Sequence, residues 1–144
     1  MYINMNDLIQ RISAEGFHNT KSILSSYNSD DWLQYITINP YHYHRKKVFE
    51  NDDFEILIIT WNTNQESQIH DHADNGCYML LLQGQLEETI HTPIVTITHY
   101  HTPKSLSYID NTIGLHKIKN PSPNNIAVSL HVYSPPNHIA KLLG

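Results

Sequence analysis

Cysteine is nearly absent from this chain. Cys77 is the single one, so no intrachain disulfide can form, and a reducing, cytoplasmic setting is expected. Positive charge is scarce as well. Nine lysines and arginines stand against 14 acids, a net charge of −5 with histidine neutral, which argues against a nucleic-acid partner. No apolar run is long enough to span a bilayer, so no membrane role is expected. The N-terminus lacks the basic-then-apolar pattern of a signal peptide. There is no internal repeat and no low-complexity tract, and the 144 residues suit a single domain that we expect to be monomeric. Histidine is plentiful, at 11 residues, which invites a metal reading and multiplies false leads.

Residues 1–36 carry helical signals. Met5, Leu8, Ile9 and Ile12 recur at helical spacing, with Gly16 where a C-terminal cap belongs. Asn19 is placed to cap a second helix bearing Ile23, Leu24 and Tyr27. Ser29 is placed to cap a third, with two acids in its first turn and Trp32 and Tyr35 facing inward. Pro40 marks a change of regime.

From about Tyr41 the pattern becomes that of strands. Residues 41–45 alternate, and 54–61 and 77–82 are apolar runs. Further segments follow at 85–90, 94–100, 106–109, 115–118 and 127–133, divided by Gly, Pro, Asn and Asp. Short strands with turn signals between them predict an all-β barrel or sandwich over 41–136, behind a small helical segment.

Three His-x-His pairs occur: His42/His44, His70/His72 and His99/His101. On an extended strand both rings of such a pair share a face, and two imidazoles side by side begin a transition-metal site. Spacing alone cannot choose among them, because a solvent-facing strand makes such pairs by accident. The pair at 70/72 stands out because it lies between two apolar runs, with Cys77 in the same segment and Gln83-Gly84 as a turn signal beyond. A third ligand should come from another strand, and His116, after Gly114-Leu115, is a candidate; a partly buried histidine that caps a turn is the plainer alternative. In the last strand Ser129, His131 and Tyr133 share one face and Leu130 and Val132 the other. Such a polar row predicts a lined cavity, or simply a wet face. Tyr43 and Arg45 form a similar pair, and an arginine inside a barrel would need an anion such as a carboxylate.

Four stretches together carry a resemblance. They are Ile69-His70-Asp71-His72 with Cys77; Leu82-Gln83-Gly84 with Glu87-Glu88-Thr89; Tyr108-Ile109-Asp110 through Ile113-Gly114-Leu115-His116 and Asn120; and Ser129-Leu130-His131-Val132-Tyr133-Ser134-Pro135-Pro136. Over about residues 27–136 the chain resembles the thiol dioxygenases of the cupin superfamily, the cysteine dioxygenase branch most closely. Cys77 stands where the general cupin pattern has a glutamate, which marks that branch.

The resemblance implies a mainly β, cupin-type jelly-roll barrel holding Fe(II) through His70, His72 and His116. It implies Arg45 as binder of the substrate carboxylate, with Tyr43 beside it. Tyr133 would lie near the iron, with His131 bonded to its hydroxyl and Ser129 in support, and a Cys77–Tyr133 thioether is a family feature. Trp61 matches an aromatic on the strand leading into the site. The implied reaction is oxidation of L-cysteine by O2 to cysteine sulfinic acid. Three neutral ligands leave the ferrous ion its full charge, which favours an anionic thiolate. The alternatives are another small thiol such as 3-mercaptopropionate, or a non-catalytic metal-binding cupin. Three departures are visible: the chain ends soon after Pro136, Ala140 stands where some relatives have a cysteine near the pocket mouth, and Asn64 replaces a common glycine. The short tail puts closure of the pocket in question.

Overall fold

The computed structural model describes residues 3–143. Helix α1, Met5–Glu15, opens with a reciprocal cap: Asn4 Oδ1 accepts from Asp7 N at 2.9 Å and Asp7 Oδ2 accepts from Asn4 N at 3.0 Å. Gly16 closes it, as expected, with its N–H on Ile12 O. Helix α2 covers only Thr20–Leu24. Asn19 does not cap it, because its Nδ2 donates back to Glu15 O at 2.7 Å, and Tyr27 falls past its end in a bridge to Ile3. The third expected helix is a 3-10 turn, Asp31–Tyr35, whose Asp31 N donates to Ser29 Oγ.

Among the described residues ten strands form two five-stranded sheets, antiparallel throughout. They are β1 (His44–Glu50), β2 (Glu55–Trp61), β3 (Ile69–His70), β4 (Cys77–Gln83), β5 (Leu86–His91), β6 (Thr96–His101), β7 (Leu106–Ile109), β8 (Leu115–Lys119), β9 (Ala127–Tyr133) and β10 (Leu142–Leu143). One sheet has the order β1-β2-β9-β4-β7 and the other β10-β3-β8-β5-β6. The strand expected at 41–45 begins later, at His44, and runs on to Glu50. His70 and His72 do not share a strand: β3 ends at His70.

The first sheet is buried on both faces. Its outer face sets Ile56, Ile58, Leu80, Val128, Leu130 and Val132 against Leu8 and Ile12 of α1 and Ile23 and Leu24 of α2. Its inner face sets Leu57, Ile59, Trp61, Met79 and Leu81 against Leu86 and Ile118 of the second sheet. Burial on both faces is why β2 and β9 read as near-continuous apolar runs. The polar row of β9 therefore looks inward, toward the second sheet, while its apolar row is covered by the helices.

Candidate metal centre

Strand register brings the histidines together. His70 on β3 is the direct cross-strand partner of His116 on β8. His72 follows in the loop, where Asn111 Oδ1 accepts its backbone N–H at 2.9 Å. One ligand atom from each of the three rings lies within 4.8 Å of the others, so His70, His72 and His116 could hold a metal ion.

The outer nitrogens fix the tautomers. His70 Nδ1 sits 2.7 Å from Gln68 O, which can only accept. His116 Nδ1 sits 2.7 Å from Glu88 Oε2, and His72 Nδ1 3.3 Å from Asn111 Oδ1. Each Nδ1 therefore carries the ring proton, and each Nε2 lone pair is bare. The bare Nε2 atoms of His70 and His116 face one another at 3.1 Å with no proton to share. His72 Nε2 is buried without a partner. Facing lone pairs repel unless a cation lies between them, so the donor set fits a metal ion, and imidazole suits iron, zinc, copper or nickel. Burial, reinforced by the neighbouring imidazole of His116, lowers His70 to about 4 and His72 to about 3, so both are neutral near pH 7 without any ion.

Glu88 was quoted in a sequence motif but given no role. It points inward from β5, between the buried Leu86 and Ile90, and is 2% exposed. Burial alone would raise its carboxyl, yet hydrogen bonds from His101 and His116 hold it at about 2. The signal that could have found it is the parity of 86, 88 and 90.

The β9 row forms a second chain of contacts. Trp61 Nε1 donates to Ser129 Oγ at 2.9 Å, Ser129 Oγ lies 2.7 Å from His131 Nε2, and His131 Nδ1 lies 3.2 Å from Tyr133 Oη. Trp61 can only donate. Ser129 Oγ and Tyr133 Oη thus meet the two ring nitrogens of His131. Tyr133 also bonds the side chains of Arg45 and Cys77. Burial and the nearby Arg45 charge lower His131 to about 3, and burial raises Tyr133 well above its ordinary value. Cys77 stands directly across from Tyr133 in the β4–β9 register, and burial pushes its thiol far up.

Trp61, His70, His72, His116, His131 and Tyr133 line one cavity of about 110 Å³. Tyr43, just before β1, stacks on Trp61 with ring centroids 4.5 Å apart. Arg45 lines the cavity, its Cζ 5.8 Å from the Tyr133 ring centre, and among the described residues it has no ion-pair partner. The far wall comes from His138, Ala140 and Leu142. Asp71 fastens that segment by accepting from Lys141 N at 2.6 Å and bonding His138 Nε2 at 3.0 Å. The cavity is thus walled by residues after Pro136. Of the other pairs, His42 and His44 stay apart from the centre, and His99 is exposed; His101 reaches Glu88.

The chain matches the family model for cysteine dioxygenase type I over residues 1–142. It is 38% identical over 128 residues to cysteine dioxygenase type 1 of Danio rerio and 35% identical over 127 residues to that of Homo sapiens. In both cases the match covers 81% of this chain and 64% of the relative, so the chain spans less than two thirds of the curated proteins it matches. Among solved structures, a protein with a double-stranded β-helix domain from Klebsiella pneumoniae aligns with TM-score 0.66 at 19% identity, covering 81% of this chain and 96% of that one. A cupin superfamily protein from Desulfitobacterium hafniense aligns with TM-score 0.59 at 12% identity, covering 70% and 84%. These two share the fold: the mainly β barrel is a cupin double-stranded β-helix.

Proposed function

Since the chain belongs to the cysteine dioxygenase type I family, we propose that it oxidises L-cysteine with O2 to cysteine sulfinic acid at an iron(II) centre held by His70, His72 and His116. The observation that carries this reading is the meeting, in one small cavity, of three bare imidazole nitrogens and the guanidinium of Arg45, which has no ion-pair partner among the described residues. A small amphoteric thiol needs both: a metal for its sulfur and a cation for its carboxylate.

When bound, the iron supplies the chemistry that joins dioxygen to sulfur, both oxygen atoms ending on the sulfinate. The chain's own residues orient the partners. Arg45 pairs with the carboxylate through charge-assisted hydrogen bonds that no internal acid competes for. Tyr43 on Trp61 walls the substrate on that side. The Tyr133 hydroxyl lines the cavity, and the Trp61–Ser129–His131 chain holds it in place. Burial keeps the Cys77 thiol protonated, so it does not compete with the substrate as a thiolate. A Cys77–Tyr133 thioether, carried over from the family resemblance, would fix the Tyr133 ring and remove that thiol altogether; their direct opposition across β4 and β9 supports it. We infer a cytoplasmic, monomeric protein; among the described residues no helix is long and apolar enough to cross a membrane.

The test is oxygen uptake by iron-loaded protein with L-cysteine and with 3-mercaptopropionate, the products identified by mass. Cysteine sulfinate is expected. Uptake with 3-mercaptopropionate alone would overturn the substrate, and iron-loaded protein inert to both would overturn the enzyme.

A further inference from the structure

Glu88 joins two histidines, of which only one belongs to the metal site. Its Oε2 takes His116 Nδ1 at 2.7 Å and its Oε1 takes His101 Nε2 at 2.9 Å. His101 in turn has Nδ1 2.6 Å from Ser105 Oγ. The line of direct contacts runs Ser105–His101–Glu88–His116, from the β6–β7 turn to the ligand set.

The register explains how it is built. Ile90 stands opposite His116, and Leu86 opposite His101. Glu88 lies between them on the inward face of β5, so each histidine is a diagonal neighbour on an adjacent strand, within reach of a long side chain. His101 is also the exception on its strand. Residues 96–100 of β6 are all exposed, whereas His101 is 7% exposed. A strand that is otherwise wet turns one imidazole inward, and that ring meets the carboxylate.

A carboxylate with one oxygen unpaired could swing about its last bond. It would then offer either oxygen, or neither, to His116. With both oxygens occupied the plane of the group is set, and Oε2 is kept on His116 Nδ1. That keeps the ring proton on the outer nitrogen and the Nε2 lone pair turned toward His70 and His72. Such outer partners of metal-bound histidines commonly change metal affinity about 10- to 100-fold.

We propose that His101, steadied by Ser105, is a positioning residue for the metal centre: by occupying Glu88 Oε1 it holds Glu88 Oε2 on His116 and so keeps His116 Nε2 presented to the ion. This rests on the reading of His70, His72 and His116 as the ligand set. It needs no contact between His101 and substrate or metal.

The experiment uses cobalt(II), titrated into metal-free full-length protein against a competing chelator, with no turnover involved. His101→Leu should weaken cobalt binding by about tenfold. His101→Gln places an amide N–H close to where His Nε2–H was and should recover affinity to within about threefold of wild type. In metal-free wild type, long-range nitrogen–proton NMR should show His116 as the Nδ1–H tautomer, a measurement that stands even if the leucine variant does not fold. Wild-type affinity in a folded His101→Leu protein overturns the proposal and leaves the metal site standing, as does a change in melting temperature alone. An Nε2–H tautomer at His116 overturns it as well. Wild-type protein that takes up no cobalt overturns the ligand set, and this inference with it.

Discussion

His131 should make this protein lose stability in mild acid, by an amount the structure sets. The ring is 4% exposed, and burial, with the nearby Arg45 charge, lowers its pKa to about 3. An unfolded histidine titrates near 6.5. Between those values the unfolded chain binds a proton that the folded chain refuses, so stability is intact above about 6.5 and falls as the pH drops toward 3. At pH 5 the solution lies about 1.5 below the unfolded value, and each step of one is worth about 1.4 kcal/mol, so this residue should cost about 2 kcal/mol between pH 7 and pH 5. The perturbation is His131→Gln. Its effect on packing and on Ser129 and Tyr133 is present at both pH values and cancels in the difference. The assay is urea unfolding of both proteins at pH 7 and pH 5 in a chelator. His70 and His72, also lowered, then contribute equally to each. The variant should lose about 2 kcal/mol less than wild type over that interval. Equal losses would refute the reasoning, because His131 would then take up its proton as readily in the fold as outside it.

Arg45→Ala removes the one cation facing the cavity wall; the apparent KM for cysteine should rise about 10- to 100-fold with a smaller change in kcat, read from sulfinate formation. An unchanged KM would return the arginine to the surface. Gly84→Ala places a methyl 2.5 Å from Ile126 O at a φ of +80°, and should cost at least about 1–3 kcal/mol in urea unfolding. A loss near zero would mean the β4–β5 hairpin can rearrange. If the Cys77–Tyr133 thioether forms, the intact mass of aerobically turned-over protein will be short by two hydrogens, and Cys77→Ser will restore the calculated mass; a full-mass wild type refutes the link.

The fold was legible wherever burial is continuous. β2, β4 and β9 are hidden on both faces or nearly so, and their apolar runs announced them almost to the residue. β1 was found only at its start. As the edge of its sheet it carries Arg45, Lys46 and Lys47 in a row, a charged pattern that reads as loop and that edge strands use to discourage pairing with other chains. The two-residue strands β3 and β10 left no periodicity to read, since pairing to β8 and to each other defines them. Asn19 failed as a cap for a local reason: the chain enters α2 from a 3-10 turn, and the amide is already committed to Glu15.

The site divides along the same line. His72 lies past the end of β3, so strand parity did not place it beside His70; Ser129, His131 and Tyr133 were readable because their parity lies within β9. Glu88 was not, because it is one of two adjacent glutamates and its partners come from β6 and β8. A carboxylate in sequence looks like solvent exposure, but Glu87 is half-buried and Glu88 is buried outright. What reverses it is the inward parity that Glu88 shares with Leu86 and Ile90. An ionised group on that face would be costly alone. It persists because two imidazoles meet its two oxygens, and one of those imidazoles belongs to the proposed metal site. The same logic runs through the opposite sheet, where Ser129 and Tyr133 meet the two nitrogens of the buried His131 ring. Two buried rings of this barrel are held from both sides, His101 by Glu88 and Ser105, and His131 by Ser129 and Tyr133. His72 Nε2 is instead a buried nitrogen without a hydrogen-bond partner among the described residues, and the bare nitrogens of His70 and His116 lie beside it. Lone pairs that converge in this way, with no proton between them, are what lets these three rings hold a cation.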